Sequence, residues 1–380
     1  MATRRDRHPV LLYLRHLDFL LAASPLMLSA IGVVMVYSAT RAGSVSPHHY
    51  LDRQAMYATV GAGVMTLIVL FDYHRFEEWG YLLYAGVVLS LAAVFVVGTS
   101  GNVAVDGTSV RWFAFGPLQV QPSEFAVLAV ILAVAIYMSR HQDEMDLKRL
   151  VVLIVLVAVP MFLVFKQPDL GTTLVIAMTF IVMLIVGGLR VRYLGLLAAV
   201  SVVGIVGAVH FGFLHQYQLA RVTAFVHQGA NTQGANYQLT QSKITIGSGG
   251  FSGQGMFHGT ETNLGAIPNQ STDFIFTAIG EQLGFIGSAV VLGLYALVAF
   301  RIIRAIQIAR DPFGRLLCAG ALAFLVFSVF QNVGMTIGIM PITGIPLPFI
   351  SYGGSALIAF FVAVGLVLNV EMRRFARRMR

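Results

Sequence analysis

The sequence predicts an all-α polytopic membrane protein with ten transmembrane helices, both termini on the inner side, and long extracytoplasmic loops. Three observations carry this. The 380 residues are 57% hydrophobic and 11% charged, against about 25% charge in soluble domains. Apolar runs recur at the length a bilayer asks of a helix, about 20 residues. The basic residues fall mainly in alternate connections, as cytoplasmic loops require.

Taken in order, the apolar cores are 19–37, 55–71, 81–97, 125–138, 150–165, 170–186, 193–214, 274–300, 316–339 and 356–370. Arg4, Arg5, Arg7 and Arg15 precede the first, which is longer than a signal-peptide core of about 7 to 15 residues and reads as a retained span. The fourth is short and is expected to borrow residues from Phe113 onward; the eighth is long enough to tilt or to project beyond the bilayer. With the amino terminus inside, the outer connections hold only Arg41, Arg53, Arg111, Lys166, Arg221 and Lys243, leaving nineteen of the 25 Lys and Arg inside. The net charge of +8 therefore reports topology and attraction to anionic inner-leaflet lipid, not nucleic acid. The single cysteine, Cys318, lies in an apolar run and allows neither an intrachain disulfide nor a thiol metal cluster.

The chain reads as one membrane domain, 1–380. The loops 98–123, 215–272 and 338–355 are long and rich in Gly, Gln, Asn, Ser, Thr and Pro, and long loops of this kind tend to be functional. The largest, 215–272, has few charges and scattered apolar residues, so it is expected to pack on the membrane surface as amphipathic pieces. The 338–355 segment has three prolines and no charge. Such backbone is tolerated at membrane depth only when buried in protein or lining a cavity, so it shapes a site and does not catalyse.

The chemistry must then come from acids on the outer side: Asp52, Asp106, Glu124, Asp169, Glu261, Asp273 and Glu281. Asp169, before an apolar helix, serves equally as an N-cap or as a functional acid, with Lys166 close enough in sequence to pair with it. Glu124 follows Gln121-Pro122-Ser123 at another helix start. Asp273 could cap its helix, with Ser271 and Thr272 as rivals. Its setting raises it, because the large loop brings Lys243 and Gly247-Ser248-Gly249-Gly250 just upstream, and glycines can present N–H groups to an anion. No phosphate-loop motif and no metal-type His or Cys spacing occurs.

The runs Arg111-Trp112 with Gln121-Pro122-Ser123-Glu124, Gln167 to Thr172, Tyr237-Gln238 through Gly250, Thr272 to Phe276, and Pro341 to Ser355 resemble, in order and spacing, the SEDS family across nearly the whole chain. The resemblance implies a peptidoglycan glycosyltransferase of RodA/FtsW type, leaning to the RodA branch of elongation and cell shape. It would polymerise lipid II on the outer face of the bacterial cytoplasmic membrane beside a class B penicillin-binding protein. It further implies that Asp273 is the functional aspartate, either as general base or as ligand for a divalent cation such as Mg or Mn, with no organic cofactor. Arg111, Lys243, Arg221 and Lys166 would hold the diphosphate, and Glu124, Asp169 and Glu281 are counted with them as substrate-binding residues. The chain departs from the family pattern at Val127, where Lys is usual, Asn269 (Glu), Ser271 (His) and Gln282 (Glu). The rival readings are a lipid-linked precursor flippase or other secondary transporter, and a scaffold.

Overall fold

The computed structural model describes residues 17–42, 47–98, 111–115, 118–141, 146–210, 216–226, 228 and 234–374. The basic amino-terminal arginines, Asp106, 211–215 and the end of the basic tail lie outside them. The elements are α1 (Phe19–Thr40), α2 (Pro47–Leu70), α3 (Tyr73–Val97), β1 (Phe113–Phe115), β2 (Leu118–Val120), α4 (Pro122–Arg140), α5 (Leu147–Lys166), α6 (Leu170–Val186), α7 (Val191–His210), α8 (Gln216–Val226), α9 (Ala235–Ser248), α10 (Thr260–Leu264), α11 (Ile275–Ile308), α12 (Pro312–Ile337) and α13 (Gly354–Arg373).

Over its described residues, every expected apolar core falls on one of these helices, while 211–214 of the seventh lie outside them. Eight, α1 to α5 and α11 to α13, are long and apolar enough to cross a membrane, and the described apolar parts of α6 and α7 are shorter. The fourth core does not borrow from Phe113. That stretch forms an antiparallel hairpin pairing Phe113 with Val120, and α4 starts at Pro122, whose fixed φ and missing N–H suit a first turn. The long eighth core kinks at Gly284, where φ is +65°, a conformation glycine adopts without Cβ strain.

Burial separates the helices. α4 and α13 form the centre, while α3 exposes most of its apolar surface, as a lipid-facing helix does. α13 packs along α2, and α12 lies against α11, α6 and α4. Starts are set by acids at N-caps: Asp18 accepts from the N–H groups of Leu20 and Leu21, both at 3.1 Å, and Asp146, Asp169 and Asp311 cap α5, α6 and α12. Asp18 and Asp311 also tie helices together. Asp18 pairs with Arg301 of α11, and Asp311 accepts from the Tyr73 hydroxyl. The large loop holds α8, α9 and α10, and α9 packs on α11 and α12.

Candidate active site

The turn before α11 is organised by its backbone. Thr272 and Asp273 donate their N–H groups to the carbonyl of Asn269, at 3.2 and 3.1 Å. Asn269 itself has φ of +57°, a left-handed conformation that asparagine accepts far more readily than glutamate. This gives a local reason for asparagine at a position where the family pattern has Glu. The next three carbonyls are each claimed by a different donor: Ser271 O by the N–H of Tyr352 at 2.9 Å, Thr272 O by Oγ of Ser351 at 2.5 Å, and Asp273 O by Nδ2 of Asn332 at 2.7 Å. Asn332, fully buried in α12, donates also to the carbonyl of Ile345 at 2.8 Å. The uncharged 338–355 segment is thereby clamped around Asp273.

Neither Asp273 nor its rivals caps the helix. The N-cap position is Phe274, and no side chain caps it, so the Asp273 carboxylate remains available. It faces Gly344, where φ is +76°; a β-carbon there would lie 3.2 Å from Oδ2 of Asp273 and 3.9 Å from Nη1 of Arg221. Arg221, on α8, is therefore brought across from Asp273. Burial pushes the Asp273 carboxyl up to about 6, against the pull of Arg221, the Thr272 hydroxyl and Arg111, with Asp169 adding to the rise. A carboxylate with that affinity for protons is poised to accept one near neutral pH.

Asp169 sits within electrostatic range of Asp273 and is heavily engaged. It accepts from the N–H of Thr172 at 3.0 Å, from Oγ1 of Thr172 at 2.9 Å, from Ser123 at 3.2 Å and from Gln121 at 3.3 Å. The capping role is realised, and the same carboxylate joins the start of α4 to the start of α6. Arg111 donates to the carbonyl of Pro168 at 2.9 Å, in the turn just before Asp169. Glu124 is buried in the first turn of α4 and feels both Asp169 and Asp273. Its neighbour one turn on, Val127, is buried in the core, and no hydrogen bond or ion pair to the Glu124 carboxylate occurs among the described residues.

Three of the expected site residues stand apart. Glu281 is spent structurally: Oε1 accepts from the N–H of Glu261 at 2.7 Å, and Oε2 from the N–H and hydroxyl of Thr262 at 3.1 and 2.6 Å. It anchors α10 to α11, with both carboxylate oxygens engaged by the protein. Lys166 does not pair with Asp169; its ammonium lies over the Phe162 ring, 5.7 Å from the centroid. Lys243 bonds Gln228, which in turn donates to the carbonyl of Gly338 at 2.9 Å. The Gly-rich run is not an anion cradle either. A β-carbon at Gly249 would lie 2.0 Å from the carbonyl oxygen of Gly280, so this glycine lets α9 and α11 touch backbone to backbone. The N–H groups of Gly249, Gly250 and Gly253 are bonded within the loop.

The residues that sequence reasoning missed are neutral: Gln121, Ser123, Asn332, Gly344 and Ser351. A search for charge passes over them. The available signal was Gln331-Asn332, two amides inside the apolar run of α12, since buried polar groups need partners. Among the described residues no three His, Cys, Asp or Glu side chains converge as metal ligands, and the Arg221 guanidinium faces Asp273 across Gly344.

Comparison with known proteins gives a consistent set of likenesses. Residues 18–375 match the FTSW_RODA_SPOVE family, described as cell cycle protein. The chain is 36% identical over 361 residues to the peptidoglycan glycosyltransferase MrdB of Escherichia coli strain K12, covering 94% of each chain. It is 32% identical to the peptidoglycan glycosyltransferase RodA of Treponema pallidum, over 94% of this chain and 98% of that one. Among solved structures it superposes, with TM-score 0.78 and 29% identity, on a chain from a study of the structural coordination of polymerization and crosslinking by a peptidoglycan synthase complex. That match covers 94% of this chain and 98% of the other.

Proposed function

This chain belongs to the FTSW_RODA_SPOVE cell cycle protein family and is a multi-pass membrane peptidoglycan glycosyltransferase; we propose that it polymerises lipid II at the outer face of the cytoplasmic membrane with Asp273 as general base. The reaction is a single displacement. The acceptor hydroxyl passes its proton to the Asp273 carboxylate as its oxygen bonds the donor's anomeric carbon. The bond from that carbon to the diphosphate breaks, and the departing lipid diphosphate takes the electron pair. One displacement turns an α-linked donor into a β-1,4-linked strand without a covalent enzyme intermediate.

The observation that carries this reading is the Asp273 carboxylate itself, free of capping duty and facing Arg221 across Gly344. A positioned base is worth about 10² to 10⁴ in rate. Arg221 and Arg111, both within electrostatic range of Asp273, bind the diphosphate and the charge that grows on it, as guanidinium donors do. Lys166 and Lys243, with contacts elsewhere, are left out of that role. Asp169 and Glu124 shape the field around the base. A divalent cation such as Mg or Mn finds a poor donor set beside these guanidinium groups, so no step is routed through one.

The topology belongs to the same proposal: ten crossings, both termini inside, and the 215–272 segment on the outer membrane surface. The distribution of Lys and Arg supports it. The crosslinking partner is a class B penicillin-binding protein, and the role is elongation and cell shape; the similar chain of the polymerization and crosslinking complex and the MrdB likeness support both. Purified protein with its partner and labelled lipid II tests the reading. Wild type should build glycan, and Asp273→Ala should lose it while keeping its thermal transition. Normal polymerisation by Asp273→Ala would overturn the mechanism.

A further inference from the structure

Beside the Asp273 turn lies an aromatic corner that the mechanism above does not use. Tyr50 and Tyr57 stand seven residues apart on α2, two turns along one face, with Arg53 and Gln54 between them on that face. Gln54, fully buried, donates to the carbonyl of Ser351 at 3.1 Å and so seats this face against the loop that carries Tyr352. The rings of Tyr50 and Tyr352 meet edge to face, 5.2 Å between centroids at 68°, and Tyr57 flanks Tyr352 at 6.4 Å and 58°. His49 lies edge-on to Tyr50 at 5.7 Å. The Arg53 side chain lies within electrostatic range of the Tyr352 hydroxyl. Glycine at 354 admits the Tyr57 ring, because a β-carbon there would be 2.8 Å from it.

Tyrosines on a membrane protein are often interfacial anchors with rings against lipid. This group differs. Tyr57 is buried, while Tyr50 and Tyr352 are half-buried against each other. The hydroxyls of Tyr50 and Tyr57 make no hydrogen bond among the described residues. The corner is joined to the reacting site by the bond from Tyr352 N–H to Ser271 O, two residues before Asp273.

From this geometry we propose that Tyr50 and Tyr352, with Arg53 at their edge, form a binding site for sugar rings of the growing β-linked glycan strand. The inference rests on the glycosyltransferase reading. A pyranose ring presents C–H groups on its faces and hydroxyls on its rim. Two tyrosines meeting in an L offer a flat apolar face for the first and phenol oxygens for the second, and Arg53 adds a donor at the rim. Rigid tyrosines lose little conformational entropy on binding, so such a corner can hold successive sugars of a strand without fixing one register.

The test is direct binding of a lipid-free, peptide-free β-1,4-linked N-acetylhexosamine hexamer to the purified full chain in detergent, read by tyrosine fluorescence and calorimetry. The background is Asp273→Asn, so that turnover does not intrude. The Asp273→Asn chain should bind the hexamer, Tyr50→Ala and Tyr352→Ala should each weaken binding tenfold or more, and Tyr352→Trp should retain it. In otherwise wild-type protein, Tyr50→Ala should shorten the strands made from labelled lipid II. Hexamer binding unchanged in the Tyr50→Ala, Tyr352→Ala double variant, or no binding by the Asp273→Asn chain, overturns the site. Tyr50 is half-exposed on a helix, so its alanine variant keeps the test valid even if Tyr352→Ala fails to fold. Failure of the base assignment shows separately, as polymerisation by Asp273→Ala.

Discussion

Replacing Arg221 with glutamine should move the acid limb of the pH–rate profile upward, and the structure sets the size. The two contacts that Asp273 Oδ2 and Arg221 Nη1 make with the β-position of Gly344 are 3.2 and 3.9 Å, so the charged atoms are at most 7.1 Å apart, the sum of those legs. At about 7 Å and an effective dielectric of about 20, the attraction is about 2.4 kcal/mol, or about 1.7 pKa units. Arg221 is half-exposed, and solvent screening brings this to about 1 to 1.5 units. The sign follows from the chemistry: a protonated Asp273 cannot take the acceptor's proton. In wild type, kcat/KM should therefore rise through pH 6, where the carboxyl is held, and level off above it. In Arg221→Gln, without the cation that favours the ionised form, the same limb should centre at about 7 to 7.5. At pH 7 the ionised fraction would fall from about 90% to between a quarter and a half, a loss of about two- to fourfold separate from any weakening of diphosphate binding. The assay is polymerisation of labelled lipid II at subsaturating substrate from pH 5 to 9, comparing limb positions, not heights. A limb that stays at pH 6 in Arg221→Gln would refute the pairing of Arg221 with the base.

Two further variants separate positioning from support. Asn332→Leu keeps the volume of the side chain but removes the donors to Asp273 O and Ile345 O, leaving buried carbonyls at about 1 to 3 kcal/mol each. The resulting shift of the base should lower kcat by about 10- to 100-fold with little change in KM, and a wild-type kcat would remove Asn332 from the site. Glu281→Ala strands two backbone N–H groups and a hydroxyl that its carboxylate now receives, at a cost of about 3 to 5 kcal/mol. It should lower the thermal transition by several degrees and leave the low-temperature rate near wild type. Loss of that rate at an unchanged transition would show that Glu281 does meet substrate.

How far the sequence could be read depended on the kind of signal. Helix positions were legible because the bilayer imposes one length and one polarity on each crossing, and every expected core, over its described residues, landed on a helix. Asp273 was legible as an acid at the border of a polar loop and an apolar run, and the motif spacing pointed to it again. Phe113 to Val120 was misread because a short hairpin and a helix extension look alike when only apolar content is counted. The Gly-rich run and Glu281 were misread for a related reason. Glycine spacing does not say whether the near surface is a ligand or another helix, and a buried acid does not announce whether its partners are N–H groups or substrate.

By itself, then, the sequence determined what local chemistry and the bilayer dictate: a helical membrane chain and the places of its apolar helices, with Asp273 singled out as an acid at a polar–apolar border. Only the tertiary structure decided which charges meet. Asp273 and Arg221 lie 52 residues apart in sequence, and they face each other because Gly344, from a third segment, can hold a left-handed turn with no side chain between them. The partners of the neutral clamps Asn332 and Ser351 are likewise undecided until folding, since a hydrogen bond to a backbone carbonyl depends on where that carbonyl comes to rest and not on which residue carries it.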